Sequence, residues 1–418
     1  VELNTLINKI LTAKQNPLAN IQDIITALNI SPNYPIILVG GTNGKGSVCA
    51  YLTTILTIAG FRVGTYTSPH VFAYNERICI NNQPVDDLVL ADALSKVMNK
   101  IESIGLFKTF TLAAHLIFIQ QKIDIAIIEV GIGGRHDITN LFEPTISAIT
   151  NVNLDHCEIL GNTLDEIGYE KAGIYRQARP GFYGSQNPPP RLIEYAKQIG
   201  CKLQIFGTDF GVNRHELSFD VRCNNKTYYS LPYPALRGDN QPDNVALCLA
   251  ILNQIHNDFP VSLGMIKTGL LQTKLIGRFQ VLPGTPQIIL DVAHNPHSVT
   301  NMLSNMLKLP FAPQNIAVFG IAQDKDVVQV IRQCKGNFDK WFIAKTNNIR
   351  GMDSNCIAKI LTDNGVNKQN IIQCTTISEA YQNASLLSDA RIICFGSFLV
   401  VEEAYNTIMS NRSDSKQG

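Results

Sequence analysis

Pro35-Ile-Ile-Leu-Val-Gly-Gly-Thr-Asn-Gly-Lys-Gly-Ser47 begins as a short continuous apolar run and ends as a glycine-rich loop. The apolar half has the pattern of a parallel strand buried on both faces. Residues 48–59 continue with helical spacing. A strand, a glycine loop and a helix in that order let backbone N–H groups close around phosphates, while the helix N-terminus adds partial positive charge. Lys45 then reaches the β and γ phosphates, and Thr42, Asn43, Gly44, Gly46 and Ser47 complete the cradle. An ordinary glycine-rich strand-to-helix turn is the alternative; a lysine framed by glycines favours the phosphate loop. The spacing departs from G-x-x-x-x-G-K-[ST] by one residue, because Gly46 stands between lysine and hydroxyl.

Outward from this loop, residues 3–14 and 20–29 carry helical apolar spacing. Strands are expected at 62–67, 123–130 and 145–152, and helices at 87–102, 111–121 and 163–174, the last capped by Thr163. The alternation predicts an α/β first domain with a largely parallel sheet. Residues 179–240 differ: Gln186-Asn-Pro-Pro-Pro190 breaks the chain, and 212–235 alternates around Cys223-Asn-Asn-Lys226, which reads as a small antiparallel appendage. Helices at 242–255 and 262–273 follow. Residues 277–286 have turn residues without period and read as a linker that closes a first domain of 1–276. Strands at 287–292, 316–321, 340–346, 370–374 and 391–396 predict a smaller doubly wound, Rossmann-like domain over 287–418.

The 418 residues exceed one ~150-residue domain and agree with two cores. With 45% hydrophobic and 17% charged residues, disorder as the dominant state is excluded. A formal net charge of +1 gives no whole-chain field for nucleic acid or an anionic membrane. Ten scattered cysteines without a Cys-x-x-Cys pair read as reduced thiols of a cytoplasmic protein. No apolar run reaches the ~18 residues of a transmembrane helix. The chain starts at Val1 rather than Met, so a few leading residues are expected to be missing.

Thr42-Asn-Gly-Lys-Gly-Ser47 is the loop variant carried by the Mur-ligase superfamily, its folate branch in particular. Further segments agree in order: Thr67-Ser-Pro-His70 with Asn75-Glu-Arg-Ile78, Glu129-Val-Gly-Ile-Gly-Gly-Arg135, Leu154-Asp-His156 before Leu160-Gly161, Glu170-Lys-Ala-Gly-Ile174, Gly277-Arg-Phe279 and Asp291-Val-Ala-His-Asn-Pro-His297. From about residue 36 to 400 the chain resembles the bacterial folylpolyglutamate synthase/dihydrofolate synthase family. The resemblance implies ATP, two magnesium ions, L-glutamate and a pteroate or folate acceptor.

Glu129 ends an apolar strand, where an unpaired carboxylate is costly to bury and needs a cation or several donors. Ser68, Glu129 and His156 fall at the C-terminal ends of three expected strands, the edge of an open α/β sheet where ligands gather. Singly, Ser68 reads better as a helix cap and His156 as a hydrogen-bonded core histidine; the shared edge reverses that. The resemblance makes all three magnesium ligands, an arrangement that triphosphate oxygens and water would complete. Lys171 lies in the apolar helical segment 167–174, where burial favours a neutral, nucleophilic amine; without the resemblance it reads as a solvated helix lysine. The resemblance implies that it is carbamylated and helps hold the second magnesium.

In the second domain, Asp291 to His297 follows a strand and opens a helix with Pro296 in its first turn. His294 and His297 as a metal pair is one reading, but no third ligand stands nearby. The resemblance implies Asp291, Arg278 and Asn244 on the nucleotide, His294 near the reacting groups, and Ser397 on glutamate. It also implies that domain closure assembles the site.

No Ser-His-Asp or Cys-His nucleophile is evident in the sequence. That suits a reaction in which the substrate's own carboxylate attacks the γ-phosphate and the acyl phosphate is captured by the amine of glutamate. A P-loop ATPase or kinase and a nucleotide-binding module without turnover are the rival readings. The acceptor side departs from the family: Pro17-Leu-Ala-Asn-Ile21 replaces a Leu-Gly-Leu-x-Arg-like segment, and Phe107-Lys108 replaces Phe-Glu. His136-Asp-Ile138, implied in acceptor binding, has histidine where leucine is common. The reading is a ligase that uses dihydropteroate, reduced folates or both, with a monofunctional folylpolyglutamate synthase or a related amide ligase with another carboxylate acceptor as the alternative; weaker use of dihydropteroate and a monomeric chain are expected.

Overall fold

The computed structural model describes residues 2–414 except 15, 17–19, 102, 103 and 225, with the backbone alone for 412–414. Part of the expected departure at 17–21 therefore lies outside the described residues; Asn20 within it caps the helix Ile21–Ala27 through Gln22 N–H at 3.1 Å. The chain divides into two compact units, residues 1–235 with 242–273, and residues 236–241 with 274–418.

In the first unit the strands are β1 (Ile36–Gly40), β2 (Val63–Tyr66), β3 (Ile78–Ile80), β4 (Gln83–Pro84), β5 (Ile125–Glu129), β6 (Ile146–Ile149), β7 (Pro180–Tyr183) and β8 (Lys202–Ile205). Among the described residues they form one sheet in the order β4-β3-β2-β5-β1-β6-β7-β8. From β2 to β8 every pairing is parallel, so the C-terminal ends of β2, β5, β1 and β6 share one edge. Every residue of β1 and β5 is buried, as their unbroken apolar runs require. The helix Lys45–Ile58 is buried along most of its length. It meets the helix Leu263–Gln272 so closely that a Cβ on Gly269 would lie 2.5 Å from Ile55 Cγ1.

Three stretches differ from the sequence expectation. β7 and β8 continue the parallel sheet, so the antiparallel appendage is confined to β9 (Phe210–Arg214), β10 (Ser218–Cys223) and β11 (Lys226–Pro232). The proline run does not merely break the chain: Pro190 opens the helix Pro190–Gln198, where its missing N–H costs nothing. The β3–β4 hairpin is not among the expected elements, although Asn81-Asn82 signals it; both residues have positive φ (52° and 62°), as a type I′ turn requires.

The second unit holds β12 (Gln280–Leu282), β13 (Gln287–Leu290), β14 (Gln314–Phe319), β15 (Lys340–Ile343), β16 (Ile371–Gln373) and β17 (Ala390–Phe395), in the order β12-β13-β17-β14-β15-β16. All pairings are parallel except the edge pair β12–β13. Residues 277–286, read from sequence as linker, belong to this unit and contain β12, a strand too short to show a period. Buried Phe319, Trp341 and Phe395 centre the core.

Candidate functional site

Gly40 ends β1, and the chain turns over Gly41-Thr-Asn-Gly44 into the helix Lys45–Ile58. Gly41 (φ +136°) and Gly44 (φ +88°) occupy backbone conformations that side chains disfavour. Space is also short: a Cβ on Gly41 would overlap the Thr150 hydroxyl, and one on Gly44 would lie 2.8 Å from Asn244 Oδ1. The loop is pinned from β6. Thr42 N–H donates to Asn151 O (3.0 Å), Asn43 N–H to Asn151 Oδ1 (3.0 Å), and Thr150 Oγ1 to Asn43 O (2.7 Å). Asn153 N–H donates to Thr42 Oγ1 at 3.0 Å. Asn151 and Asn153 had no role in the sequence reading, though asparagines directly beyond a strand beside a phosphate loop are such a signal.

Lys45 Nζ donates to the carbonyls of Gly41 and Thr42 at 3.2 Å each and lies 3.9 Å from Glu129 Oε1. Glu129, at the end of β5, is 5% exposed, and its Oε2 accepts from Ser68 N–H at 3.1 Å. Lys171 is 4% exposed and donates to the same Gly41 carbonyl at 3.1 Å. A solvated lysine is therefore excluded. Burial, then repulsion by Lys45, pushes its amine down to about 7, with Asp155 opposing. The structure thus brings Lys45, Glu129, Ser68 and Lys171 together around Gly41 and β5.

Half-buried His156 stands in a left-handed conformation (φ 52°) before the short helix Cys157–Leu160. Among the described residues no three His, Cys, Asp or Glu side chains gather as a metal site. The expected set offers one carboxylate, one hydroxyl and one imidazole, which fits an ion that relies on phosphate oxygens and water for its remaining ligands.

The loop after β5 is shaped by Asp137. Its Oδ2 accepts from Gly131 and Ile132 N–H (3.1 and 3.2 Å), its Oδ1 from Thr139 N–H and Oγ1 (2.9 and 2.6 Å). Burial raises its carboxyl above the ordinary range against these donors. Ile138 packs in the apolar core, while the His136 side chain is 84% exposed and 3.9 Å from Glu170. Of these three expected acceptor residues, only His136 presents its side chain openly. On the neighbouring helix Leu106–Gln120, which begins five residues before the expected 111, Lys108 is exposed and Phe107 abuts Gly131.

In the second unit, Asp291 Oδ1 and Oδ2 accept from Ala293 and Phe279 N–H at 2.8 and 3.1 Å. Loss of hydration pushes its carboxyl up to about 6, with Arg278 opposing. Arg278 lies 5.4 Å from the centre of the Phe398 ring. His294 Nδ1 is 2.8 Å from Val292 O; a carbonyl only accepts, so Nδ1 holds the proton and Nε2 is the acceptor of the neutral ring. Ser397 Oγ accepts from Val400 N–H at 3.2 Å, in the first turn of the helix Phe398–Asp414.

Residues 39–231 match the model of the Mur ligase middle domain, and residues 277–398 that of the Mur ligase glutamate ligase domain. The chain is 33% identical over 385 residues to the dihydrofolate synthase/folylpolyglutamate synthase of Escherichia coli strain K12, covering 91% of this chain and 88% of that one. It is 32% identical over 308 residues to the folylpolyglutamate synthase of Lacticaseibacillus casei, covering 69% and 72%. Among solved structures, E. coli FolC in complex with DHPP and ADP superposes with a TM-score of 0.90 at 29% identity over 99% of both chains. A bifunctional folylpolyglutamate synthase/dihydrofolate synthase with Mn, AMPPNP and L-glutamate bound gives 0.88 at 30% identity over 98% of both.

Proposed function

The chain belongs to the dihydrofolate synthase/folylpolyglutamate synthase family of Mur ligases, and from that premise we propose that it joins L-glutamate to a reduced folate and, more weakly, to dihydropteroate. It is an ATP-dependent ligase that uses a divalent metal. The observation that carries the reading is the pair of lysines, Lys45 and Lys171, on the Gly41 carbonyl beside buried Glu129. A cation, Lys45, and a buried low-pKa amine, Lys171, next to one buried carboxylate suit a triphosphate and its metal.

The acceptor carboxylate oxygen attacks the γ-phosphorus and ADP leaves; the neutral amine of glutamate then attacks the acyl carbon, the C–N bond forming as the C–O bond to inorganic phosphate breaks and the nitrogen gives up a proton. Lys45 and the loop N–H groups hold the phosphates in line and offset their charge. Ser68, Glu129 and His156 hold magnesium, with Lys171 contributing as a carbamate; the ion supplies charge neutralisation when bound. Asn244, Arg278 and Asp291 are the proposed nucleotide contacts. His294 Nε2, the acceptor end of a fixed tautomer, takes a hydrogen bond near the reacting groups, and Ser397 contacts glutamate. His136, Asp137 and Ile138 form the acceptor wall, Asp137 and Ile138 by shaping the loop.

We read the protein as a cytoplasmic monomer. None of the ten cysteines is in a disulfide, and no described helix is long and apolar enough to cross a membrane. Light scattering after gel filtration tests the monomer. The function is tested by phosphate release from ATP with acceptor, glutamate and magnesium added singly and together. Turnover should require all of them, and release without acceptor would return the simple ATPase.

A further inference from the structure

Arg135, in the loop beyond Glu129, has no part in the chemistry above, yet it is fastened to the turn that carries Lys171. Its backbone N–H donates to Glu170 O at 2.9 Å and its Nη2 to Tyr169 O at 3.1 Å. Both carbonyls belong to the last turn of the helix Leu164–Ala172, and that of Glu170 also accepts a long bond, 3.4 Å, from the N–H of Gly173. The guanidinium carbon lies 4.2 Å from the centre of the Tyr169 ring and 4.4 Å from that of Tyr195. Those rings meet edge to face at 5.6 Å. Arg135 Nε is buried without a hydrogen bond, 3.7 Å from Glu170 Oε1.

The backbones on either side touch as well. A Cβ on Gly134 would lie 2.8 Å from Lys171 O, and one on Gly173 would lie 2.5 Å from Arg135 Cα. Asn140 Nδ2 bridges the carbonyls of Arg135 and Gly173 at 3.2 and 3.0 Å. Lys171 lies between residues 170 and 173, so these contacts grip the turn on both sides of it.

We propose that Arg135 is a positioning residue for the Lys171 amine, holding the last turn of its helix against the loop after β5 so that Nζ stays on the Gly41 carbonyl. The proposal rests on the reading of Lys171 as a carbamylated metal ligand. Positive charge alone is not the device. The planar guanidinium set against two aromatic rings is, and a lysine at this position cannot reproduce it fully.

The test compares the parent with Arg135→Met, Arg135→Lys and Arg191→Met. Arg191 stacks on Tyr169 at 4.4 Å and serves as the control. Two readouts are taken: the split between kcat and the KM for ATP, and the fraction of Lys171 labelled from ¹³C-bicarbonate, read by NMR. Arg135→Met should lower kcat at least tenfold, leave KM within twofold and cut the labelled fraction below half. Arg135→Lys should recover part of both, and Arg191→Met should match the parent. Parental labelling in Arg135→Met overturns the proposal whatever happens to kcat, and so does an equal loss in Arg191→Met. If Arg135→Met does not fold, Arg135→Lys is judged by the same readouts; if neither folds, the residue is merely structural and the proposal falls. An unlabelled parent overturns the carbamate reading instead, and the kcat split then decides Arg135 alone.

Discussion

Lys171 shows what a single residue hides in sequence. Without the family resemblance its helical segment reads as solvated, and only the packing of the Leu164–Ala172 helix on the phosphate loop leaves it 4% exposed. Burial holds its amine down at about 7, against about 10.5 in the unfolded chain. Between those values the unfolded chain binds a proton that the folded chain lacks, so stability rises with pH across the window, and the full penalty is present below it. In carbon dioxide-free buffer, urea melts from pH 7 to 10 should show that rise, and Lys171→Met should flatten it. A variant with the parent's slope would assign the rise to another group. In turnover assays Lys171→Ala should lose activity and regain part of it with added short carboxylic acids, which replace the missing oxygens; no rescue at any concentration argues against the carbamate. Lys45 was legible as a loop lysine at a strand's C-terminal end because an apolar run and glycines precede it, although its spacing departs by one residue from the usual nucleotide loop. Lys45→Ala removes a contact made more strongly in the transition state and should cost about 2.7–4 kcal/mol in kcat, by analogy with a lost oxyanion donor. Equal turnover in mutant and parent would remove it from the phosphate site.

At the scale of elements, the phosphate loop is held in its shape by glycines and by asparagines beyond β6. Gly44→Ala forces a side chain into a left-handed position against Asn244, a strain of order 1–3 kcal/mol. The variant should melt earlier and bind ADP more weakly by calorimetry, and unchanged binding would mean that the loop does not close on the nucleotide. The buried parallel strands were legible because each is a continuous apolar run. β3–β4 and β12 were not, because strands of two or three residues carry no period, and β7 and β8 were masked by the proline run between them. In the site, Glu129 was legible as a carboxylate ending an apolar strand. The clamp of Arg135 on Tyr169 and Tyr195 was not, since it joins residues far apart in the chain.

For the molecule as a whole, family membership fixes the reaction, and the proposed preference among acceptors turns on Lys108, where the sequence departs from the pattern it resembles. Lys108 stands exposed in the first turn of the helix Leu106–Gln120, next to Phe107, which packs on the loop containing Asp137. A cation where the family has a glutamate reverses which edges of a pterin ring can be satisfied, because lysine only donates and a carboxylate only accepts. A site built to pair polar edges discriminates strongly when a partner is missing. In the proposed preference tetrahydrofolate, whose glutamate ends in two carboxylates, leans less on the ring than dihydropteroate, which ends in one. The expected outcome is a higher kcat/KM for tetrahydrofolate than for dihydropteroate in the parent, and a ratio shifted toward dihydropteroate in Lys108→Glu. Steady-state kinetics with both acceptors at saturating ATP and glutamate measure it. A ratio unmoved by the substitution would put Lys108 in solvent and leave the ring to neighbouring side chains or the backbone, so that the chain would use both acceptors as its bifunctional relatives do.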